Sequence, residues 1–203
     1  MKWLKIIVFS IITIAVYANC KSYTQHGKWE KISNQRMYSV SGLVHHKNGF
    51  LIVHDNKKEN QPRISFFKNN KISSLIWPGS SLPYDLEAIS IIPNFKNQYI
   101  LMESTGKCYK IKIEQRNNQI TLMNIFQLET NEGMNLEGCI IVKGNFGYKI
   151  IYGDRGSDLR KSTLFAGDFN PTNNNITNLV KHIIDLPAPS EHKRNIADLG
   201  IDK

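Results

Sequence analysis

The chain has 203 residues, of which 41% are apolar and 21% are charged, and its net charge is +9. Enough apolar side chains are present to build a core, which excludes wholesale disorder. Three cysteines are too few for a disulfide scaffold. Composition alone therefore indicates an ordered, basic chain and names no function.

The N-terminal segment has the pattern of a secretory signal peptide. Met1–Lys5 is short and basic, Ile6–Val16 is nearly all apolar, and Ala18 supplies a small residue before a cleavage site. We therefore expect residues 1–18 to be a signal peptide and the protein to be exported, to the periplasm or the extracellular space. Cys20 leaves open a second interpretation, a lipoprotein acylated on that cysteine, and an uncleaved anchor is a third.

Short β-branched and aromatic runs separated by polar turns follow residue 28. Phe50–Val53 comes after a Lys-Asn-Gly turn, and Tyr109–Ile113 alternates before a turn at Arg116–Asn118. Many short strands joined by tight turns predict an antiparallel all-β fold.

These runs recur as a repeated unit of roughly 50 residues, which is the period of a four-stranded β-propeller blade. The sequence therefore predicts an all-β, β-propeller-like fold with about three blades and the start of a fourth, an incomplete ring. A β-sandwich or barrel is the alternative, although it does not explain why the first strand of each unit starts alike. The predicted parts are a lead-in at 19–36, blades at about 37–78, 79–129 and 130–187, and the fourth start at 193–203.

Acidic residues stand beside the first strands of these units. Asp85 and Glu87 lie in the second unit, Glu137 in the third and Asp198 in the fourth, while Asp55 follows the second strand of the first unit. In a propeller such positions converge at one mouth of the central channel. Carboxyl groups that lie close together are difficult to ionise at the same time unless a cation binds between them. Carboxylate oxygens are the ligands that Ca²⁺ and Mg²⁺ prefer. The five acids are therefore predicted metal ligands, and for any single acid a turn cap or a pairing with Lys is the alternative.

Three motifs give the chain a resemblance to a known family. Ser41-Gly42-Leu43 with Asp55-Asn56, then Asp85–Ile89, then Asn135–Gly138 resemble the phytase-like, "esterase-like activity of phytase" propellers of secreted bacterial proteins. The resemblance covers about residues 37–203. It implies a secreted propeller, an acidic mouth, Ca²⁺ binding and hydrolysis of phosphoesters or esters. The chain is short for that family, since a full propeller needs ~300 residues at roughly 50 per blade.

Metal-assisted hydrolysis is the chemistry that this set predicts. Ca²⁺ held by Asp55, Glu87 and Glu137 would polarise a phosphoryl oxygen and orient water. Arg155 and the cations of the loop 56–63 would clamp the phosphate. We accordingly expect catalytic roles for Glu87, Glu137 and Arg155. The alternatives are a non-catalytic envelope module that binds a ligand or protein at its mouth, and a truncated gene product without activity.

Other signals are weaker. The lysines are scattered, so nucleic acid is not an expected partner, and membrane contact is expected only through the signal segment or a lipid on Cys20. Cys108 and Cys139 fall on neighbouring units, and we expect free buried thiols, with a disulfide as the alternative. His54-Asp55 has no accompanying nucleophile elbow, which disfavours a Ser-His-Asp hydrolase.

Overall fold

The computed structural model of the chain describes residues 31–114, 117–157 and 160–184. Within these ranges the chain is β-strand and loop, apart from a short 3-10 helix at Arg36–Tyr38. The predicted signal peptide, Cys20, Asp198 and the start of the fourth unit lie outside the described residues. No helix in the described part of the chain is long and apolar enough to cross a bilayer.

The strands form three antiparallel, four-stranded sheets, which confirms the predicted all-β class. In each sheet, every strand is hydrogen-bonded to the strand that follows it in the chain, and none of the three sheets closes on itself. Sheet 1 contains β1 (Gly42–His46), β2 (Gly49–Val53), β3 (Ile64–Lys68) and β4 (Lys71–Ser74). Sheet 2 contains β5 (Leu86–Ile91), β6 (Gln98–Glu103), β7 (Lys107–Ile113) and β8 (Ile120–Gln127). Sheet 3 contains β9 (Leu136–Gly144), β10 (Gly147–Asp154), β11 (Ser162–Phe169) and β12 (Ile176–Ile184).

One predicted strand is shorter than expected. The apolar run from Ile72 to Trp77 predicts a continuous strand, yet β4 ends at Ser74. Trp77 is buried and sets its ring edge on Tyr109 of sheet 2, with 5.3 Å between the ring centroids. The strand therefore stops at Ser74, because Trp77 at the end of the apolar run packs into the core instead of continuing the sheet.

The core has two parts, one between each pair of consecutive sheets. The first part joins sheets 1 and 2, and the second joins sheets 2 and 3. β1 packs against β5 and β5 packs against β9, so the first strands of the three sheets are neighbours. Typical members of the first part are Leu51, Val53, Ile64, Leu101 and Tyr109; those of the second are Ile100, Met102, Cys108, Tyr152 and Phe165.

The first two strands of every sheet pair in the same register. In each sheet, one residue of the first strand pairs with the last or next-to-last residue of the second strand. The residues directly before these paired residues are Ser41, Glu87 and Glu137, so the register aligns them. The three pairs are Gly42–Val53, Ala88–Met102 and Gly138–Gly153.

A buried polar side chain at the end of each second strand holds the segment that leads into the first strand. We call these side chains, His54, Glu103 and Asp154, the latch residues. Because a carbonyl oxygen only accepts, the His54 proton lies on Nδ1. The bonds run from His54 Nδ1 to the Ser39 carbonyl (2.7 Å), from the Tyr84 N–H to Glu103 Oε1 (2.8 Å) and from the Asn135 N–H to Asp154 Oδ1 (3.0 Å).

Candidate functional site

Glu87 and Glu137 are the extra residues of two β-bulges. In β5 the register with β6 shifts between Leu86 and Ala88, so Glu87 opposes no single residue of β6. The pairing of β9 with β10 skips Glu137 in the same way. A bulge takes a side chain out of the regular alternation of a strand and re-aims it. The repeated Leu-Glu-(Ala/Gly) motif therefore gives two neighbouring sheets a re-aimed carboxyl at the same position.

Asp55 follows β2 and is held by a cation from the lead-in segment. Arg36 donates from both terminal nitrogens to the two Asp55 oxygens, at 3.0 and 2.7 Å. The Ser39 hydroxyl donates a further bond to Asp55 at 3.1 Å. The hydrogen bond from Arg36 is the largest influence on the pKa of Asp55 and lowers it, so this carboxylate is ionised.

Asp85 precedes β5 and also has a cation of its own. Lys57 lies 3.0 Å from one carboxylate oxygen, and the Ser104 hydroxyl donates to the other at 2.8 Å. The backbone of Asp85 is left-handed, with φ at 60°, a conformation that Asp tolerates better than most residues. Both oxygens of Asp85 are thus occupied.

Glu137, on the bulge of β9, pairs with Arg155. One nitrogen of Arg155 lies 3.0 Å from Glu137 Oε1, and the Asn135 side-chain amide donates to the same oxygen at 2.7 Å. Burial raises the pKa of Glu137, and Arg155 and Asn135 oppose that rise while Asp85 adds to it. Arg155, predicted as catalytic, is therefore a direct partner of a predicted catalytic acid.

Glu87 differs from the other three acids. It is half-buried, and within the described part of the chain it accepts no hydrogen bond and forms no ion pair. Burial raises its pKa to about 8, with further contributions from the negative charges of Glu137, Asp85 and Asp55 and an opposing one from Lys57. Glu87 therefore holds its proton at neutral pH. We call these four side chains the acidic cluster.

Backbone hydrogen bonds join the segments that carry the acidic cluster. Two of them link the end of one sheet's second strand to the start of the next sheet, and two link the end of a second strand to the start of the first strand of the same sheet, so the cluster has a continuous backbone support. The bonds run from Asp85 N to Asn56 O (3.4 Å), Ser104 N to Asp85 O (3.0 Å), Leu136 N to Ser104 O (2.9 Å) and Arg155 N to Asn135 O (2.8 Å).

No protein-family model and no curated protein sequence matches this chain. The resemblance to phytase-like propellers therefore rests on the short motifs around Asp55, Glu87 and Glu137. A function for the chain has to be argued from the chemistry of the cluster, since a fold by itself does not determine a function.

The predicted Ca²⁺ ligands Asp55 and Asp85 bind cationic and hydroxyl groups of the protein itself. The oxygens of Asp55 and Asp85 are taken by Arg36, Lys57 and Ser104. Among the described residues, no group of three or more His, Cys, Asp or Glu side chains is arranged to hold a metal ion. Asp198, the fifth predicted ligand, lies outside the described residues, so the predicted metal site stays a prediction.

The cations predicted to clamp a phosphate have separate roles. Arg63 is buried and donates to the backbone carbonyls of Lys58 (3.0 Å), Gln61 (2.9 Å) and Pro83, so it supports its own loop. Lys57 belongs to the acidic cluster through Asp85. It also lines an open groove of about 560 Å³ with Gly79–Leu82 and Tyr84. Of the predicted cations in this loop, Lys57 therefore connects the cluster to a surface groove.

Sequence reasoning missed Arg36, Ser39 and the latch residues. A signal for them exists, because several of these contacts join residues 19 positions apart. Arg36 and Asp55 have this separation, and so do the pairs Tyr84–Glu103, Asp85–Ser104 and Asn135–Asp154. A search for polar pairs at this recurring separation would have found the partners of the acids.

Proposed function

We propose that the three sheets are blades of an exported β-propeller of the phytase-like kind, which hydrolyses phosphoesters or esters at the acidic cluster. The succession of four-stranded antiparallel sheets in chain order supports this architecture. So does the contact of β1 with β5 and of β5 with β9, because first strands lie closest together in a propeller. The acidic cluster lies where these first strands begin.

The observation that carries the proposed chemistry is the unpaired state of Glu87. Asp55, Asp85 and Glu137 each have a cation, and Glu87 has none among the described residues. A carboxyl whose pKa is raised to about 8, beside carboxyl groups that pair with cations, is the arrangement of an acid and a base in different environments. Glu87 is therefore the proton donor of the proposed reaction, and proton transfer of this kind accelerates reactions by roughly 10²–10⁴-fold.

In the proposed hydrolysis, Glu87 is the general acid and Glu137 is the general base. Glu137 accepts a proton from a water molecule, whose oxygen forms a new bond to the phosphorus or carbonyl carbon. The bond from that atom to the leaving oxygen breaks, and Glu87 gives its proton to the leaving oxygen. The products are an alcohol and a phosphate or carboxylic acid, and the proton on Glu137 returns to Glu87 through solvent.

Arg155 and Lys57 provide the positive charge that this reaction needs. Arg155 is about half exposed beside Glu137, so a phosphoryl oxygen of the substrate can reach its guanidinium. Lys57 links the cluster to the groove lined by Ser80, Ser81 and Tyr84. That groove is the proposed place for the alcohol portion of the substrate.

Release of nitrophenol from an aryl phosphate and from an aryl ester tests this proposal. We expect Glu87→Gln to lower kcat by roughly 10²–10⁴-fold with little change in KM. Glu132→Gln is the matched control, since Glu132 is an exposed loop residue with no contact to the cluster. Full activity in Glu87→Gln would overturn the proposal.

A non-catalytic ligand-binding module is the second candidate. It is favoured by the three ion pairs, which leave no charged nucleophile exposed among Asp55, Asp85 and Glu137. In this case the groove beside Lys57 would bind an anionic ligand without turnover. Calorimetric binding of phenyl phosphate that is lost in Lys57→Ala, in a protein without measurable hydrolysis, would favour this candidate.

A further inference from the structure

Consecutive sheets pack face to face, so each sheet has a leading face toward the next sheet and a trailing face toward the preceding one. The leading face of sheet 1 packs on the trailing face of sheet 2, and the leading face of sheet 2 packs on the trailing face of sheet 3. The same type of interface is therefore made twice within one chain.

The common register shows which residues of sheet 3 form its leading face. Gly42, Ala88 and Gly138 are the aligned residues of the three first strands. Two residues before their partners on the second strands stand Leu51, Ile100 and Ile151, which are therefore equivalent. Leu51 and Ile100 are fully buried by the next sheet, whereas Ile151 is only half-buried. Leu164 shows the same contrast, since it is half-buried while its equivalents Ile64 and Cys108 are fully buried. The other apolar members of this face are Ile140, Val142, Ala166 and Val180.

Sheet 1 has the complementary uncovered face. Leu43 on its trailing face is 55% exposed, while the equivalent Ile89 of sheet 2 is 6% exposed because sheet 1 covers it. Phe50 is exposed as well, and its equivalent Tyr99 is buried. Ile52 and Ser65 on the same face are buried, so the uncovered part of this trailing face is the part around Leu43 and Phe50. Within the described residues, the leading face of sheet 3 and this part of sheet 1 are therefore left without a neighbouring sheet.

We propose that a second copy of this chain covers both faces. The leading face of sheet 3 in each copy packs on the trailing face of sheet 1 in the other, which gives a ring of six sheets with two-fold symmetry. The interface continues packing that the chain already makes twice, and the partner that presents a matching trailing face is the chain itself. Contiguous apolar surface of this kind marks an interaction site, and a front-to-back contact that closes forms a ring.

The mass of the full chain in solution, measured by sedimentation velocity and light scattering, tests this proposal. We expect the wild type to have twice the mass of one chain. Ile151→Lys and Leu43→Lys should each give a monomer, although they lie on different sheets. Ile76→Lys is the matched control, because Ile76 is 90% exposed in the loop after β4, outside both faces, and it should remain dimeric.

Circular dichroism on each variant separates loss of pairing from loss of folding. If Ile151→Lys does not fold, Leu164→Lys replaces it, since Leu164 is half-buried while its equivalents Ile64 and Cys108 are fully buried by the next sheet. A wild type that stays monomeric at 100 μM, as it would if another part of the chain or another protein covers sheet 3, overturns the proposal.

Mixing the two monomeric variants tests the front-to-back arrangement. A pair of Ile151→Lys and Leu43→Lys copies retains one unaltered interface, so the mixture should recover dimer that neither variant forms alone. A dimer that resists Leu43→Lys and is lost in Ile151→Lys would show a symmetric contact between two copies of sheet 3. That result would contradict the proposed ring.

Discussion

Glu87 and Glu137 occupy the same bulge position in the first strands of two neighbouring sheets, yet among the described residues only Glu137 has a cation. Arg155 follows the second strand of sheet 3, whereas the position after the second strand of sheet 2 is Ser104, which bonds to Asp85. The repeat therefore places two carboxyl groups alike, and the residue after the second strand decides which of them gains a cation that opposes the rise in its pKa.

The stability of the protein should depend on pH through Glu87. Its pKa in the folded protein is raised from 4.5 to about 8, so between these values the folded state holds a proton that the unfolded state has lost. Stability from this group therefore falls as pH rises from about 4.5 to about 8. Gln cannot ionise, so Glu87→Gln should match the wild type at pH 4 and exceed it at pH 9.

Because Glu87 is half exposed and solvent screens its charge, we expect a gain of about 1–2 kcal/mol at pH 9. Thermal and urea unfolding across pH 4–9 measures it, with Glu132→Gln as the control. Equal stability of Glu87→Gln and wild type at pH 9 would contradict the raised pKa.

Removal of a latch residue should strongly destabilise the fold. Asp154 is fully buried, accepts from the Asn135 N–H at 3.0 Å and forms an ion pair with Arg160. Asp154→Ala removes the carboxylate of this ion pair and the acceptor of the Asn135 N–H, although Arg160 keeps its bond to the Gly133 carbonyl. Breaking a buried pair in this way costs about 3–5 kcal/mol. Urea unfolding measures the loss, and a change as small as that of Glu132→Ala would show that the latch is unimportant.

The buried thiols should be unreactive in the folded protein. Cys108 and Cys139 are free and fully packed in the core, and burial raises the pKa of both, Cys139 to about 12. Since the thiolate is the reactive form, a Cys20→Ser protein should react with a thiol reagent at pH 8 only after unfolding, and then at two sites. Rapid labelling of the native protein would contradict this burial.

Metal chelation separates proton transfer from the metal-assisted mechanism that the family resemblance implies. With Arg36, Lys57 and Arg155 on the carboxylates, hydrolysis of an aryl phosphate should survive EDTA. Loss of activity in EDTA that Ca²⁺ restores would show that the metal ion displaces these arginine and lysine side chains from the carboxylates. The predicted ligands Asp55, Asp85 and Glu137 would then be ligands in fact.

Local sequence patterns were sufficient to predict the strands and the equivalence of Glu87 and Glu137, but not the two β-bulges that carry them. Alternation of apolar residues and polar turns determines where strands begin, and the Leu-Glu-(Ala/Gly) repeat in the sequence is enough to align Glu87 with Glu137. The early end of β4 was not predictable in this way, because the burial of Trp77 depends on Tyr109 in another sheet.

The electrostatics of the cluster depended on contacts that local patterns do not contain. Asp55 and Asp85 are predicted metal ligands, and the cations that they contact in the structure come from the lead-in and from the loop after β2. Arg63 looked like a phosphate clamp, yet three backbone carbonyls hold it. Whether a carboxylate meets a metal or an arginine is decided by the folding of distant segments onto one another.

The pH titration of the Glu87 carboxyl group tests the central claim most directly. Its ¹³C resonance, assigned by its absence in Glu87→Gln, can be followed by NMR from pH 4 to pH 10. We predict a midpoint near pH 8, which moves down in Glu137→Gln because a neighbouring negative charge is removed. A midpoint near 4.5, the ordinary value for this group, would mean that Glu87 is ionised at neutral pH and cannot be the proton donor.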